Sequence, residues 1–244
     1  LEKELKEESS MRKVFLSLVA ILLCGVTVFA QTRRDTENRI IIDSPEEFLK
    51  IGTTGYPLND SYILTTDINL GDLGEKSAAI ISSFSGTYDG DGHSITYQAS
   101  FTADNEEDKL ALFGTVTGTI QNLRISNSTI TSNGTETAQI ALLCANLSGN
   151  NGRITDCEIF NGNINSTISA TGNYERVATG LLVGLLSDGA RVEYCSATGN
   201  VVGYGYVGGL VGQASNGHVL GSSFVGSVEA AYEGNPNWNL QDYL

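Results

Sequence analysis

Two pairs of carboxylates have a spacing that could support metal-ion or acid–base chemistry. Asp89 and Asp91 alternate with glycines, and their oxygens could ligate calcium. Calcium takes six or more oxygen ligands and only two carboxylates are local, so we favour a turn in which the aspartates accept backbone N–H groups. Asp156 and Glu158 lie on either side of Cys157, so in a strand both side chains would point to the same face. We favour an outward, solvated pair over a catalytic dyad. We therefore expect no catalytic residue, no bound metal and no other cofactor.

Two tyrosines could contact a ligand. Tyr204 and Tyr206 alternate with glycines, so extended backbone would place both on one face. Exposed tyrosines could stack on sugars or touch a protein partner, although packing at a corner is the favoured interpretation.

Two cysteines could meet. Cys157 and Cys195 occupy the same position of a repeat described below, so their Cα atoms are expected near disulfide range. A buried thiol pair is favoured, and a disulfide is the open alternative.

The charge balance excludes two classes of partner. The chain has 14 Lys and Arg against 28 Asp and Glu, a net charge of −14. Without a basic cluster it is poorly suited to nucleic acid or to anionic membranes. The partner classes that this charge leaves open are glycans and proteins of a host or of a cell surface.

The N-terminal part has the features of an export signal. After Met11 come two basic residues, an apolar run from 14 to 26, and Ala30 at a cleavage position. We interpret residues 11–30 as a signal peptide cleaved after Ala30, and residues 1–10 as a gene-call extension. The protein is then expected to be secreted or on the cell surface. No apolar run beyond residue 30 is long enough to span a bilayer.

One short helix is predicted before a long β region. Ser44 is a suitable N-cap, Pro45 suits the first helical position, and Glu47 lies three residues after the cap. Phe48, Leu49 and Ile51 are expected to bury one face. We place a leader and this capping helix in residues 31–61.

Four repeat units follow, beginning at leucines separated by 30, 40 and 28 residues. Each has a Leu-x-Gly-like core, then a β-branched residue, then Leu, Cys or Ser three residues later. The 40-residue interval indicates a loop around residues 170–177. The aligned core positions are Leu112, Gly114, Ile120, Leu142, Ile154, Cys157, Leu182, Gly184, Val192, Cys195, Leu210, Gly212 and Val219, with Cys144 at the glycine position of the second unit.

Apolar and polar residues alternate within the units, which predicts strands without an intervening helix. A unit this short cannot bury its apolar face alone, whereas stacked units can, if each strand pairs in parallel with its equivalent in the next unit. We assign residues 62–228 to this stack and residues 229–244 to a C-terminal cap or a truncated end.

The fourth unit resembles the bacterial GLUG repeat. The segment 208–212 (GGLVG), followed by Gly217, Val219 and Phe224, and the segment 192–201 (VEYCSATGNV) carry the likeness. The resemblance implies an all-β fold, a right-handed parallel β-helix (a β-solenoid of the pectin-lyase-like kind). The short helix predicted from the Ser44-Pro45 pattern would cap its N-terminal end. It also implies a surface adhesin or an accessory region of an exported peptidase, such as an IgA-cleaving one.

We therefore expect a non-enzymatic, adhesin-like or structural surface module. The alternatives are a carbohydrate-binding or carbohydrate-active β-helix, and an accessory fragment of a larger exported peptidase.

Overall fold

The computed structural model describes residues 32–170 and 176–230. The predicted extension, the signal peptide and most of the predicted C-terminal cap lie outside these ranges, as does much of the loop expected around 170–177. Those assignments remain predictions. Within the described ranges, no helix has the length and apolar character needed to cross a membrane.

The described chain is nearly all β, as predicted. Its single described helix is α1 (Pro45–Phe48). Its strands are β1 (Ile40–Ile42), β2 (Ser61–Leu64), β3 (Ile68–Lys76), β4 (Ile81–Phe84), β5 (Thr87–Asp89), β6 (Ser94–Ala103), β7 (Asp108–Leu110), β8 (Phe113–Val116), β9 (Thr119–Gln121), β10 (Arg124–Ser126), β11 (Thr129–Gly134), β12 (Ala138–Ala141), β13 (Cys144–Leu147), β14 (Arg153–Thr155), β15 (Glu158–Ser166), β16 (Ala178–Gly180), β17 (Val183–Ser187), β18 (Arg191–Glu193), β19 (Ser196–Gly203), β20 (Tyr206–Gly208), β21 (Val211–Ser215), β22 (His218–Leu220) and β23 (Ser223–Ala230).

These strands form four parallel sheets, which confirms the predicted mode of pairing. Sheet A has the order β1-β2-β5-β9-β14-β18-β22, and sheet B contains β3, β6, β10, β11, β15, β19 and β23. Sheet C has the order β4-β8-β13-β17-β21, and sheet D the order β7-β12-β16-β20. From β7 onward the chain visits the sheets repeatedly in the order D, C, A, B.

The core consists of rows of side chains from equivalent strand positions. In sheet A, Ile120 pairs with Ile154, Ile154 with Val192, and Val192 with Val219. Ile120, Ile154 and Val192 are fully buried, and burying such a side chain stabilises the folded state by about 1.5–3 kcal/mol. Val219, in the last strand of sheet A, is 48% exposed, because the described residues place no further strand beside it.

Helix α1 begins as predicted and buries less than predicted. Ser44 is the N-cap, and its hydroxyl accepts the N–H of Glu47 at 3.3 Å. Phe48 packs edge-on against Tyr88 and Phe113, with ring centroids 5.9 and 6.1 Å away. Leu49, however, is 47% exposed, so its predicted burial was wrong. The helix has a single turn and ends at Phe48, so Leu49 is not on a helical face that points into the core.

The second repeat unit requires a correction of one residue. Cys144 pairs with both Phe113 and Val183, which places Ala145, not Cys144, opposite the core glycines Gly114 and Gly184. Equivalently, the unit begins at Leu143 and not at Leu142. Both leucines are buried, so apolar character alone could not distinguish the two registers, and only strand pairing selects one.

Candidate functional site

A row of four residues turns the chain from sheet A into sheet B. Asn122, Asp156, Tyr194 and Gly221, here called the corner row, directly follow β9, β14, β18 and β22. All four have left-handed backbones, with φ values of 51°, 54°, 54° and 59° in that order. Backbone hydrogen bonds link neighbouring repeats at each step; the N–H of Asp156, for example, donates to the carbonyl of Glu193 at 3.1 Å.

Tyr194 is the unusual member of the corner row. Asparagine, aspartate and glycine tolerate a left-handed backbone, whereas a bulky residue there is an outlier that costs about 1–2 kcal/mol. Its side chain is 59% exposed. A Cβ on Gly221 would lie 2.8 Å from Cδ1 of the tyrosine, so the absence of a side chain in the next repeat makes room for the ring.

Beside the corner row lies a shallow depression of about 430 Å³. Its polar lining comes from Asp91, Asn122, Arg124, Asp156 and Glu158. The structure thus brings together the two carboxylate pairs that the sequence presents separately. Three carboxylates against one guanidinium leave the depression negatively charged.

Hydrogen bonds occupy part of this polar lining. Arg124 Nη2 lies 2.6 Å from Glu158 Oε2, and its Nε donates to the same oxygen at 2.7 Å. The hydroxyl of Thr155 donates to Asp156 Oδ2 at 2.7 Å. Asp91 and Asp156 remain exposed, so their free oxygens can accept hydrogen bonds from a ligand.

Asp89 is engaged by the protein itself. Oδ2 accepts from Arg39 Nη1 at 3.2 Å and Gln121 Nε2 at 3.1 Å, and Oδ1 accepts from Asn122 Nδ2 and the N–H of Asp91, both at 3.0 Å. Burial opposes ionisation most strongly, yet the hydrogen bonds and the charge of Arg39 together lower the pKa of Asp89. This is the turn-stabilising role expected of the Asp-Gly-Asp-Gly segment. Among the described residues, no three His, Cys, Asp or Glu side chains are placed close enough together to hold a metal ion.

The two tyrosines chosen from the sequence do not share an exposed face. Tyr204 is buried, with 8% exposure, whereas Tyr206 is 42% exposed. Gly205 separates them with φ at 76°, so the chain turns between β19 and β20 and the alternation rule does not apply. The shared face expected from alternation was therefore wrong, whereas the burial of Tyr204 agrees with the favoured interpretation of packing at a corner; of the two, Tyr206 is open to solvent.

Cys157 and Cys195 lie in neighbouring repeats as free, buried thiols. Each thiol donates weakly to a backbone carbonyl, Cys157 to Thr155 at 3.3 Å and Cys195 to Glu193 at 3.2 Å. Burial, reinforced by the neighbouring thiol, raises the pKa of Cys157. The raised pKa makes Cys157 a poor nucleophile, because the reactive form is the thiolate.

Sequence reasoning missed Tyr194, Asn122 and Arg124 as surface residues. A signal for the corner row was present, since the residue before each Leu, Cys or Ser position is Asn, Asp, Tyr or Gly. Three of these four types favour left-handed backbone, which would have identified the corner and made the tyrosine conspicuous.

Comparison with known proteins supports the resemblance seen in the sequence. The GLUG motif matches residues 176–202, a segment that includes β18, most of β19 and Tyr194. The chain thus carries a GLUG motif. No curated protein sequence matches it.

A solved structure shares the fold. It is a Bacteroides ovatus protein described as a candidate immunoglobulin A1 protease, with a TM-score of 0.56 and 17% identity. The match covers 81% of this chain and 60% of the other, so this chain spans less than two thirds of that protein. At this identity the likeness concerns the fold alone.

Proposed function

We propose that residues 62–228 form a right-handed parallel β-helix and that the protein is an exported, non-enzymatic binding or structural module of the adhesin-like kind. The observation that carries this proposal is a contrast between two sets of equivalent positions. Inward positions repeat one chemistry, as in Ile120, Ile154 and Val192. Outward corner positions differ in every repeat. A regular framework with a varied outer surface suits display and recognition.

The state of the carboxylates supports a non-enzymatic module. Glycoside hydrolysis needs one carboxyl held protonated as a general acid. Glu158 is instead paired with the guanidinium of Arg124, whose Nη2 lies 2.6 Å from Glu158 Oε2. Asp156 is exposed to solvent, and its Oδ2 accepts a hydrogen bond from the hydroxyl of Thr155.

Purified residues 31–244 provide the test of this function. Incubated with immobilised glycans and with cell-surface proteins, the protein should bind saturably and release no product. Turnover of a polysaccharide that is abolished in Glu158→Gln would refute the non-enzymatic assignment and favour the carbohydrate-active alternative.

Export needs a separate experiment. Residues 11–30 fused to a reporter that is active only outside the cytoplasm should yield activity and a processed N-terminus after Ala30. Replacing an apolar residue of the segment, as in Leu22→Arg, should abolish both.

A second candidate, an accessory region of a larger exported peptidase, is favoured by the structural neighbour described as a candidate immunoglobulin A1 protease. Under this hypothesis the chain would bind immunoglobulin A1 without cutting it. Retention on immobilised immunoglobulin A1, with intact heavy chain on gels, would support it. Binding to glycans alone would favour the first candidate.

A further inference from the structure

We propose that Tyr194 and the adjoining depression bind a neutral, pyranose-containing oligosaccharide, with the tyrosine ring as a stacking platform; this rests on the proposed binding function and specifies its site and ligand class. The first observation is the strained backbone of Tyr194, at φ 54°. Strain of this kind persists where the surrounding structure imposes it, and it is frequent at ligand sites.

The second observation is the accommodation of the ring. Gly221, at the same corner position one repeat later, has no side chain, and a Cβ there would lie 2.8 and 2.9 Å from two ring carbons. The ring therefore lies against backbone and still remains 59% exposed. An aromatic ring supported from below and open above can cover the apolar C–H face of a sugar.

The third observation is the chemistry of the neighbouring corner-row residue. Asp156, which precedes Tyr194 in the corner row, lines the depression, and the depression also offers the carboxylates of Asp91 and Glu158, the amide of Asn122 and the guanidinium of Arg124. Sugar hydroxyls both donate and accept, and they suit this mixture. The ring itself lies over Gly221, outside this lining, so a ligand that reaches both must extend along the row across Asp156. A depression of about 430 Å³ is within the range of small-ligand sites.

Charge narrows the ligand class. With Asp91, Asp156 and Glu158 against Arg124, the depression repels anions, so uronate-containing or sulfated polysaccharides are expected to be excluded. A protein partner is less well matched, because binding hot spots lie in well-packed pockets fully desolvated on binding. The corner-row neighbours of Tyr194 are instead the polar Asp156 and the bare Gly221.

The decisive variant is Tyr194→Asn. Asparagine already occupies the equivalent position as Asn122 with nearly the same φ, so the substitution removes the ring and relieves strain together. We expect the melting temperature to be unchanged or higher, while the Kd for the bound oligosaccharide rises by about tenfold. Asp156→Asn should weaken the same binding, since the exposed carboxylate becomes a weaker acceptor. Tyr206→Ala, which removes an exposed tyrosine in sheet D, is the matched control and should leave the Kd unchanged.

The measurement is a panel of neutral and acidic oligosaccharides screened on an array, followed by titration calorimetry of the best neutral binder. Oligosaccharide binding that Tyr194→Asn does not weaken, or that Tyr206→Ala weakens equally, would overturn the site and leave the proposed binding function intact. A preference for acidic glycans would overturn the ligand class, and saturable binding to proteins alone would overturn it too. Turnover without saturable binding would count against the proposed function itself.

Discussion

The Asp89 network gives the most direct test of how the first repeats are held together. Asp89→Asn keeps the shape of the side chain but replaces one acceptor oxygen by an N–H₂ donor. Whichever way the amide turns, the new donor faces existing donors, either Arg39 and Gln121 or Asn122 and the N–H of Asp91.

The expected loss follows from the partners that each donor keeps. Arg39 still has Asp35, whose Oδ2 lies 2.8 Å from its Nε, so the arginine does not become an isolated charge. Gln121 loses an acceptor in a half-buried place, which costs about 1 kcal/mol, and weakening the charge-assisted bond adds about 1–2 kcal/mol. We expect Asp89→Asn to lower the free energy of unfolding by about 2–3 kcal/mol.

Urea unfolding followed by circular dichroism measures this loss, with Asp91→Asn as the matched control in the same turn. Asp91 is exposed, and asparagine tolerates its left-handed backbone, so the control should stay within about 0.5 kcal/mol of wild type. If calcium held this turn instead, both variants would lose a stabilisation that EDTA removes from wild type. We expect EDTA to have no effect.

The same pair of proteins tests the electrostatics. The folded-state pKa of Asp89 is lowered, so its ionisation stabilises the fold above the unfolded pKa of about 3.9, and this is lost as the pH falls through the folded value. The stability difference between wild type and Asp89→Asn should therefore shrink from pH 7 towards about pH 3. Equal stabilities at pH 7, or an equal loss in Asp91→Asn, would refute the reasoning.

Three further outcomes are expected. Val192→Ala should cost about 2 kcal/mol in urea unfolding, but Val219→Ala in the same row less than about 1 kcal/mol; equal losses would mean that β22, the last strand of sheet A, is covered. Cys157 and Cys195 should alkylate only after denaturation, and the intact mass should not change on reduction, whereas a gain of two hydrogens would reveal a disulfide. Gly184→Ala should cost about 1–3 kcal/mol by thermal unfolding, because its Cβ would lie 2.7 Å from the Ala145 carbonyl oxygen; an unchanged melting temperature would contradict this close approach.

Much of the fold could be predicted because its signals are local or repeat at a readable interval. The Ser44-Pro45 start of α1 depends on contacts within one turn, and α1 begins at Pro45. Alignment of the repeat units predicts the row containing Ile120, Ile154 and Val192, since stacking places side chains of one kind at equivalent positions. The exposure of Leu49 could not be predicted in this way, because it depends on how long the helix continues.

The candidate site was less predictable, because its members are adjacent only after stacking. Asp91 and Asp156 are far apart in the chain, and the parallel pairing of β5 with β9 and of β9 with β14 brings their surroundings into one depression. The tyrosines chosen by alternation were separated by the turn at Gly205, while Tyr194, which alternation did not select, lies exposed at a corner.

The sequence by itself therefore determined that the chain is a repeated, parallel β structure with a GLUG motif, because period-two patterning and unit spacing are properties of the chain alone. Only the tertiary structure decided the register at Leu143, the burial of Tyr204 and the meeting of the carboxylates. The physical reason is that a strand's two faces are chemically distinct in sequence, whereas neighbours across strands depend on pairing register and on where the backbone turns.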